Sequence, residues 1–509
     1  MKTQIHTQWK SFIIVSALLC AITASATDPL LSSWFTANSG KYARIYSSTA
    51  NRTAGISATT WTGQTSPTYA GVHEIDYSTN WVYIKNTGLA AYVMGPWSNP
   101  NLPKNQGTST SVYRFPRGAA GVTNSILNKT NLTNLAAIGH LVDGVSIDNQ
   151  SDSFSYLNAH SEDASPAVTT FGSGDGIWNR DALPNEGVSF DYALNHPQPS
   201  GDYHSHANPI GVRYMLGDNV NYDSSTKIYS ENTNTSVFKH SPIVGWLSDG
   251  IPLYGPYGYS NPTNPASTVR RMVSGYVLRN GQCGTTNLGV TGRTTLPAWA
   301  ASAQNRSAIL PSGQYGPNTN AIYTLGHYQE DYDYLGDHGY VQGVTNADGT
   351  FYDLNQYNVR WCVTPEYPNG TWAYFVTITT NGTSWYPYNV GRCFFGNPTG
   401  GTTTTTIMNT DTPLTLYFKG ATNLQETLSA PAVNKTSGNV TLTWSALEGG
   451  TYQVLVSTNL TTWTTNAALG LTATNNSASG IETGVATSIP NRFYRTARTA
   501  VATFDSAGY

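Results

Sequence analysis

Ten histidines are spread over 509 residues, yet three fall in the segment His196-Pro197-Gln198-Pro199-Ser200-Gly201-Asp202-Tyr203-His204-Ser205-His206. Side chains two apart on an extended strand share a face, so His204 and His206 point the same way. Pro197, Pro199 and Gly201 favour a turn that brings His196 back toward that pair. Three neutral imidazole nitrogens around one point suit zinc or copper. The sequence therefore predicts a metal site at His196, His204 and His206; the competing reading is a set of loop or surface hydrogen bonds. Asp249 also has two readings: an oxygen ligand or an acceptor that fixes a histidine tautomer, or an Asp-Gly turn whose carboxylate bonds local amides, which is favoured.

His240, His327 and His338 are the other histidines of note, the last two flanking Glu330, Asp331, Asp333 and Asp337. Carboxylates beside histidines can hold a second ion such as calcium, but the spacing matches no calcium-binding loop, and a solvated acidic loop is the preferred expectation. The chain has no Gly-x-Ser-x-Gly elbow, no His-Glu-x-x-His and no phosphate-cradling loop. Catalytic residues therefore stay unassigned, with Asp249 and Glu366 the only acid or base candidates near the histidines.

These side chains need a scaffold, and the composition indicates a mainly β one. Segments such as Trp81 to Ile84 and Thr371 to Thr377 are β-branched or aromatic and bounded by Gly, Asn and Pro. Helical periodicity is scarce, the best stretch being Ala298 to Arg306 after Pro297. Charged residues make up only 11%, against about 25% in an ordinary globular chain. With Lys+Arg 26 against Asp+Glu 29 and a net charge of -3, nucleic acid is not an expected partner. Lys2 and Lys10, the apolar run Phe12 to Ile22 and Ala24-Ser25-Ala26 have the order of a cleavable secretory signal over residues 1–26. The mature chain is then secreted, begins at Thr27 and has no transmembrane segment. It keeps Cys283, Cys362 and Cys393, for which one disulfide and one free thiol is the simplest count, Cys362 with Cys393 being preferred.

Three regions follow the signal: a large β-rich domain over 27–396, a Thr- and Gly-rich linker over 397–430, and a small β-sandwich over 431–500. The linker rests on Gly400-Gly401 and the run Thr402 to Thr406. The sandwich rests on Val440, Leu442 and Trp444 alternating with Thr441 and Thr443, then Tyr452, Val454 and Val456 alternating again. This module resembles fibronectin type III and related immunoglobulin-like domains.

The large domain resembles the YHYH family, named for a Tyr-His-Tyr-His motif that here reads Tyr203-His204-Ser205-His206. Gly245-Trp246 and Asp249-Gly250-Ile251-Pro252-Leu253-Tyr254-Gly255-Pro256 are similar to a second block of that family. Thr364-Pro365-Glu366-Tyr367-Pro368, Gly370-Thr371-Trp372-Ala373-Tyr374 and Pro387-Tyr388 are similar to a third. The resemblance implies one domain over roughly residues 80–396, a secreted or periplasmic location and metal binding by the histidines, but no reaction. Where the family often carries an acidic Leu-Asp-x-x-Asn-Gly stretch, this chain reads Leu354-Asn355-Gln356-Tyr357-Asn358, with Asp353 one residue earlier. Three functions fit: a secreted metal-binding protein, a metal-dependent extracellular enzyme, or a carbohydrate-binding or adhesive protein whose partners are cell-surface glycans.

Overall fold

Pro252–Tyr254 and Ile243–Leu247 are short apolar strands that the sequence brackets with Asp249-Gly250, and every residue of both is buried. A strand covered on both faces reads as a continuous apolar run rather than an alternating one. In the computed structural model these two strands are the middle of an eight-stranded mixed sheet. The structure describes residues 28–36, 42–98, 100–105, 111–117, 133, 137–165, 172–419, 428–446, 451–472, 477–485 and 491–500. The expected signal peptide, residues 1–26, lies outside the described residues.

The sheet runs, edge to edge, through Asn195–Pro197, Tyr203–Ser205, Ser146–Ile147, Gly139–Leu141, Ile243–Leu247, Pro252–Tyr254, Thr371–Phe375 and Val359–Cys362. Two of its contacts are parallel, Tyr203–Ser205 with Ser146–Ile147 and Pro252–Tyr254 with Thr371–Phe375. Gly139 is required where neighbouring strands crowd. A Cβ there would lie 2.3 Å from the Trp246 carbonyl oxygen.

A second, five-stranded antiparallel sheet has the order Gly401–Thr404, Ser111–Pro116, Trp81–Asn86, Val72–Tyr77 and Thr415–Lys419. This corrects the linker expected over 397–430 for its described stretch up to residue 419. Its threonines are β-branched and pair along Ser111–Pro116, Thr402 with Tyr113 and Thr403 with Val112. Thr405–Thr410 then forms a helix, capped by the Thr404 hydroxyl, that carries the chain to the opposite edge of the sheet. The five-stranded sheet thus takes in the chain as far as Lys419. Ile75, Val82 and Ile84 from this sheet share one core with Val244, Trp246 and Leu253 from the other.

A separate core is built largely of tyrosine and tryptophan, including Trp178, Tyr276, Tyr328, Tyr332, Tyr386 and Tyr388. Tyr332 and Tyr386 stack with ring centroids 4.4 Å apart. The best helical stretch expected from sequence is present but shorter, Ala298–Ala303. None of Cys283, Cys362 and Cys393 is in a disulfide, so the expected Cys362–Cys393 bridge is not formed. Both flank the same core, Cys362 inside it and Cys393 packed at its margin, without joining.

Beyond residue 428 the chain builds two three-stranded antiparallel sheets. Val440, Leu442, Trp444, Tyr452, Val454 and Val456 form their common core. Among the described residues no helix is long and apolar enough to cross a membrane.

Candidate metal centre

The Pro- and Gly-containing segment folds as an antiparallel hairpin. Asn195 pairs with Ser205, His196 with His204 and Pro197 with Tyr203. Its connection closes with the Gln198 amide donating to the Asp202 carbonyl, 2.9 Å, and the Gly201 amide to the Gln198 carbonyl, 2.8 Å. Alternation along Tyr203–Ser205 sends Tyr203 to the opposite face from His204. There the Tyr203 hydroxyl donates to Asp191 Oδ2 at 2.7 Å and is fully buried. The tyrosine thus anchors the hairpin while the histidine is left for the site. Ser205 is also fully buried and bonds the Ala207 carbonyl.

His196, His204 and His206 come together, all buried, with one ligand atom from each lying within 4.8 Å of the others. The Nε2 atoms of His204 and His206 are 2.9 Å apart. Their Nδ1 atoms face backbone carbonyls, Asp202 O at 3.2 Å and Asn149 O at 2.6 Å. A carbonyl oxygen only accepts, so each Nδ1 carries the proton and each Nε2 carries a lone pair. Two lone pairs then meet at 2.9 Å, a repulsive arrangement that a cation between them converts into an attractive one. Two nitrogens bound to one tetrahedral zinc stand roughly 3.3 Å apart, close to what is seen. His196 Nδ1 is held by the Ser189 hydroxyl at 2.7 Å, and its Nε2 is buried without a hydrogen-bond partner.

A fourth side chain, which the sequence reading missed, completes the picture. Glu186 Oε2 lies 3.3 Å from His206 Nε2 and 3.7 Å from His196 Nε2, and has no hydrogen bond of its own. It ends the short helix Ala182–Glu186, whose first turn is capped by Asp181, and the 3-10 turn Gly187–Ser189 that follows delivers Ser189 to His196. Burial pulls His196 down to about 2 and His206 to about 4, and lowers His204. Burial, reinforced by Asp152, pushes Glu186 up to about 8. The Glu186 contacts are therefore between neutral groups at neutral pH, not ion pairs. Asp148 and Asp202 stand behind His206 and His204, each raised by burial to about 6. The carboxyl groups of Asp148 and Asp202 beside the cluster, and of Glu186 once it gives up its proton, can balance a bound positive ion.

The profile of the YHYH proteins matches residues 113–388. The chain belongs to the YHYH protein family. No match is found among curated proteins or among solved structures. The matched span contains the hairpin and ends at Tyr388, inside the 80–396 region that carries the resembling motifs.

Other residues singled out in this YHYH protein do different work. Asp249 does not join the histidines: it accepts from Tyr374 Oη at 2.7 Å, Gly396 N at 3.0 Å and Ile251 N at 3.2 Å. It is the acceptor of an Asp-Gly turn, fully committed to pinning strand ends. Tyr254 donates to Glu366 Oε2 at 3.0 Å, which gives that carboxylate a local role. Asp353 takes both guanidinium arms of Arg270 and one of Arg360. The acidic stretch is not a solvated loop. Glu330 and Asp331 are buried, Asp331 receiving Arg293 through two 2.7 Å bonds and Glu330 receiving Asn179 and Gln304. His327 and His338 pair with Asp163 and Asp333, and His240 bonds the Ser241 carbonyl among aromatic rings. A calcium loop needs carboxylates that are not already spent on arginines. No second group of potential ligands is found among the described residues.

Proposed function

We propose that this YHYH protein is a secreted metal-binding protein that holds one zinc or copper ion on His196, His204 and His206, with Glu186 as the fourth ligand. The observation that carries the reading is the pair of Nε2 atoms 2.9 Å apart, each left with a lone pair because its ring's other nitrogen faces a carbonyl oxygen. Metal-bound imidazoles generally donate their second N–H to a fixed acceptor, and both of these do. Glu186 favours a closed four-ligand centre of the kind that stabilises a fold over an open centre that turns over a substrate. The ion would clamp the Asn195–Ser205 hairpin to the Ala182–Glu186 helix. Export rests on the residue order over 1–26; an amino terminus at Thr27 on the exported protein supports it, and one at Met1 removes it. The C-terminal pair of sheets is read as a fibronectin-type spacer or attachment module, by architecture alone.

The test is calorimetric titration of metal-stripped protein with zinc and with copper(II). Binding at one equivalent per chain, accompanied by a rise in unfolding temperature, is expected. No saturable heat with either ion overturns the proposal.

A further inference from the structure

A cavity of about 600 Å³ lies away from the histidines, within the size range of small-molecule sites, roughly 300 to 1,000 Å³. One wall is the hairpin of Tyr257–Tyr259 with Val269–Arg271, in which Arg271 sits directly across from Tyr257. Phe238, Tyr257 and Phe351 supply ring surface, and the exposed Thr233 and Thr380 supply hydroxyls.

The charges around this cavity do not cancel. Arg270 and Arg360 share one carboxylate, Asp353. Arg270 takes it with both arms, at 2.6 and 2.8 Å, and Arg360 reaches it at 3.3 Å. The Val273 amide donates a further 2.9 Å bond to the same carboxylate. Asp353 has no capacity left for Arg271, whose Nη1 bonds only backbone carbonyls, Ile378 at 2.8 Å and Met272 at 3.5 Å. Glu231, the acid that lines the cavity, is likewise spent: Arg213 holds it by both arms, and Asn208 and Tyr257 donate to it. Arg271 therefore lines the cavity with no carboxylate bonded to it. A guanidinium presents a planar fork that fits a carboxylate through two parallel hydrogen bonds.

We propose that this cavity binds a small ring-bearing carboxylate, with the carboxylate on the free edge of Arg271 and the ring against Phe238 and Tyr257. An aromatic acid and a sugar acid share that chemistry, and the Thr233 and Thr380 hydroxyls suit those of the second. The site is independent of the histidine cluster and does not rest on metal binding.

The experiment is calorimetric titration of the full-length protein with benzoate, glucuronate, glucose and inorganic phosphate, on the parent and on the Arg271→Gln and Arg271→Lys variants. Saturable 1:1 binding of benzoate or of glucuronate is expected, and which of the two binds more tightly distinguishes an aromatic from a sugar acid. Glucose should not bind. Arg271→Gln should weaken the carboxylate by at least about tenfold, the scale of a lost charged hydrogen bond, and Arg271→Lys should restore part of that loss. The parent's unfolding temperature in both variants shows that the fold is intact. Binding of neither carboxylate, binding of phosphate alone, or undiminished carboxylate affinity in folded Arg271→Gln overturns the proposal.

Discussion

His196 and His204 face each other directly across an antiparallel hairpin, and their rings lie 4.5 Å apart. That cross-strand pairing, rather than the His204 and His206 spacing alone, turns three histidines into one cluster. His206 joins from just beyond the strand Tyr203–Ser205, its ring 4.7 Å from that of His204.

Ser189 positions His196 from outside the cluster. Ser189→Ala leaves all three imidazoles but frees the His196 ring to turn. Metal affinity should fall by about 10- to 100-fold, the usual cost of removing such a partner, with the unfolding temperature of the metal-free protein nearly unchanged. Equal affinity in the parent and the variant would show that the serine has no part in the site.

Arg293 and Asp331 form a fully buried, two-pronged pair. Removing one partner of such a pair strands a charge and costs about 3 to 5 kcal/mol. Asp331→Ala should lower stability on that scale in urea unfolding. A loss under about 1 kcal/mol would mean that water reaches the arginine.

Burial alone pulls His140 down to about 3, and its Nδ1 has no hydrogen-bond partner. A lowered base is neutral in the fold, while the unfolded chain takes up a proton below about 6.5. Its contribution is complete above that pH and is lost as pH falls toward 3, by up to about 1.4 kcal/mol per unit. His140→Phe should remove this dependence. The stability difference between parent and variant, followed by denaturant unfolding from pH 7 to 4, should shift against the parent on acidification; a constant difference contradicts the assignment.

Much of the site was legible because it is local. The turn residues and the two-residue alternation that set the hairpin are written in consecutive letters. Glu186 was not, because no periodicity links a helix-ending acid to a hairpin ten residues later; its only sequence signal is an acid shortly upstream of the histidines in a segment holding Pro184. The Thr run was misread for the opposite reason. Thr is both a linker residue and a good strand residue, and only the unpaired edge of Ser111–Pro116 decides between them. The acidic stretch reads as solvated until the remote partner Arg293 is placed, which needs the tertiary fold.

The same edge pairing predicts where the chain can be cut. A chain ending at residue 427 should keep its first domain and its metal stoichiometry. A chain ending at residue 396 loses both edge strands of the five-stranded sheet and should be markedly less soluble, since bare strand edges invite association. Equal solubility and unfolding temperature for the two truncations would reverse the revised boundary.

The central claim is most directly tested by elemental analysis of the purified protein beside a His204→Ala, His206→Ala double variant, with circular dichroism on both. The account predicts close to one equivalent of zinc or copper in the parent and almost none in the variant. A folded double variant that retains the parent's metal content would contradict it.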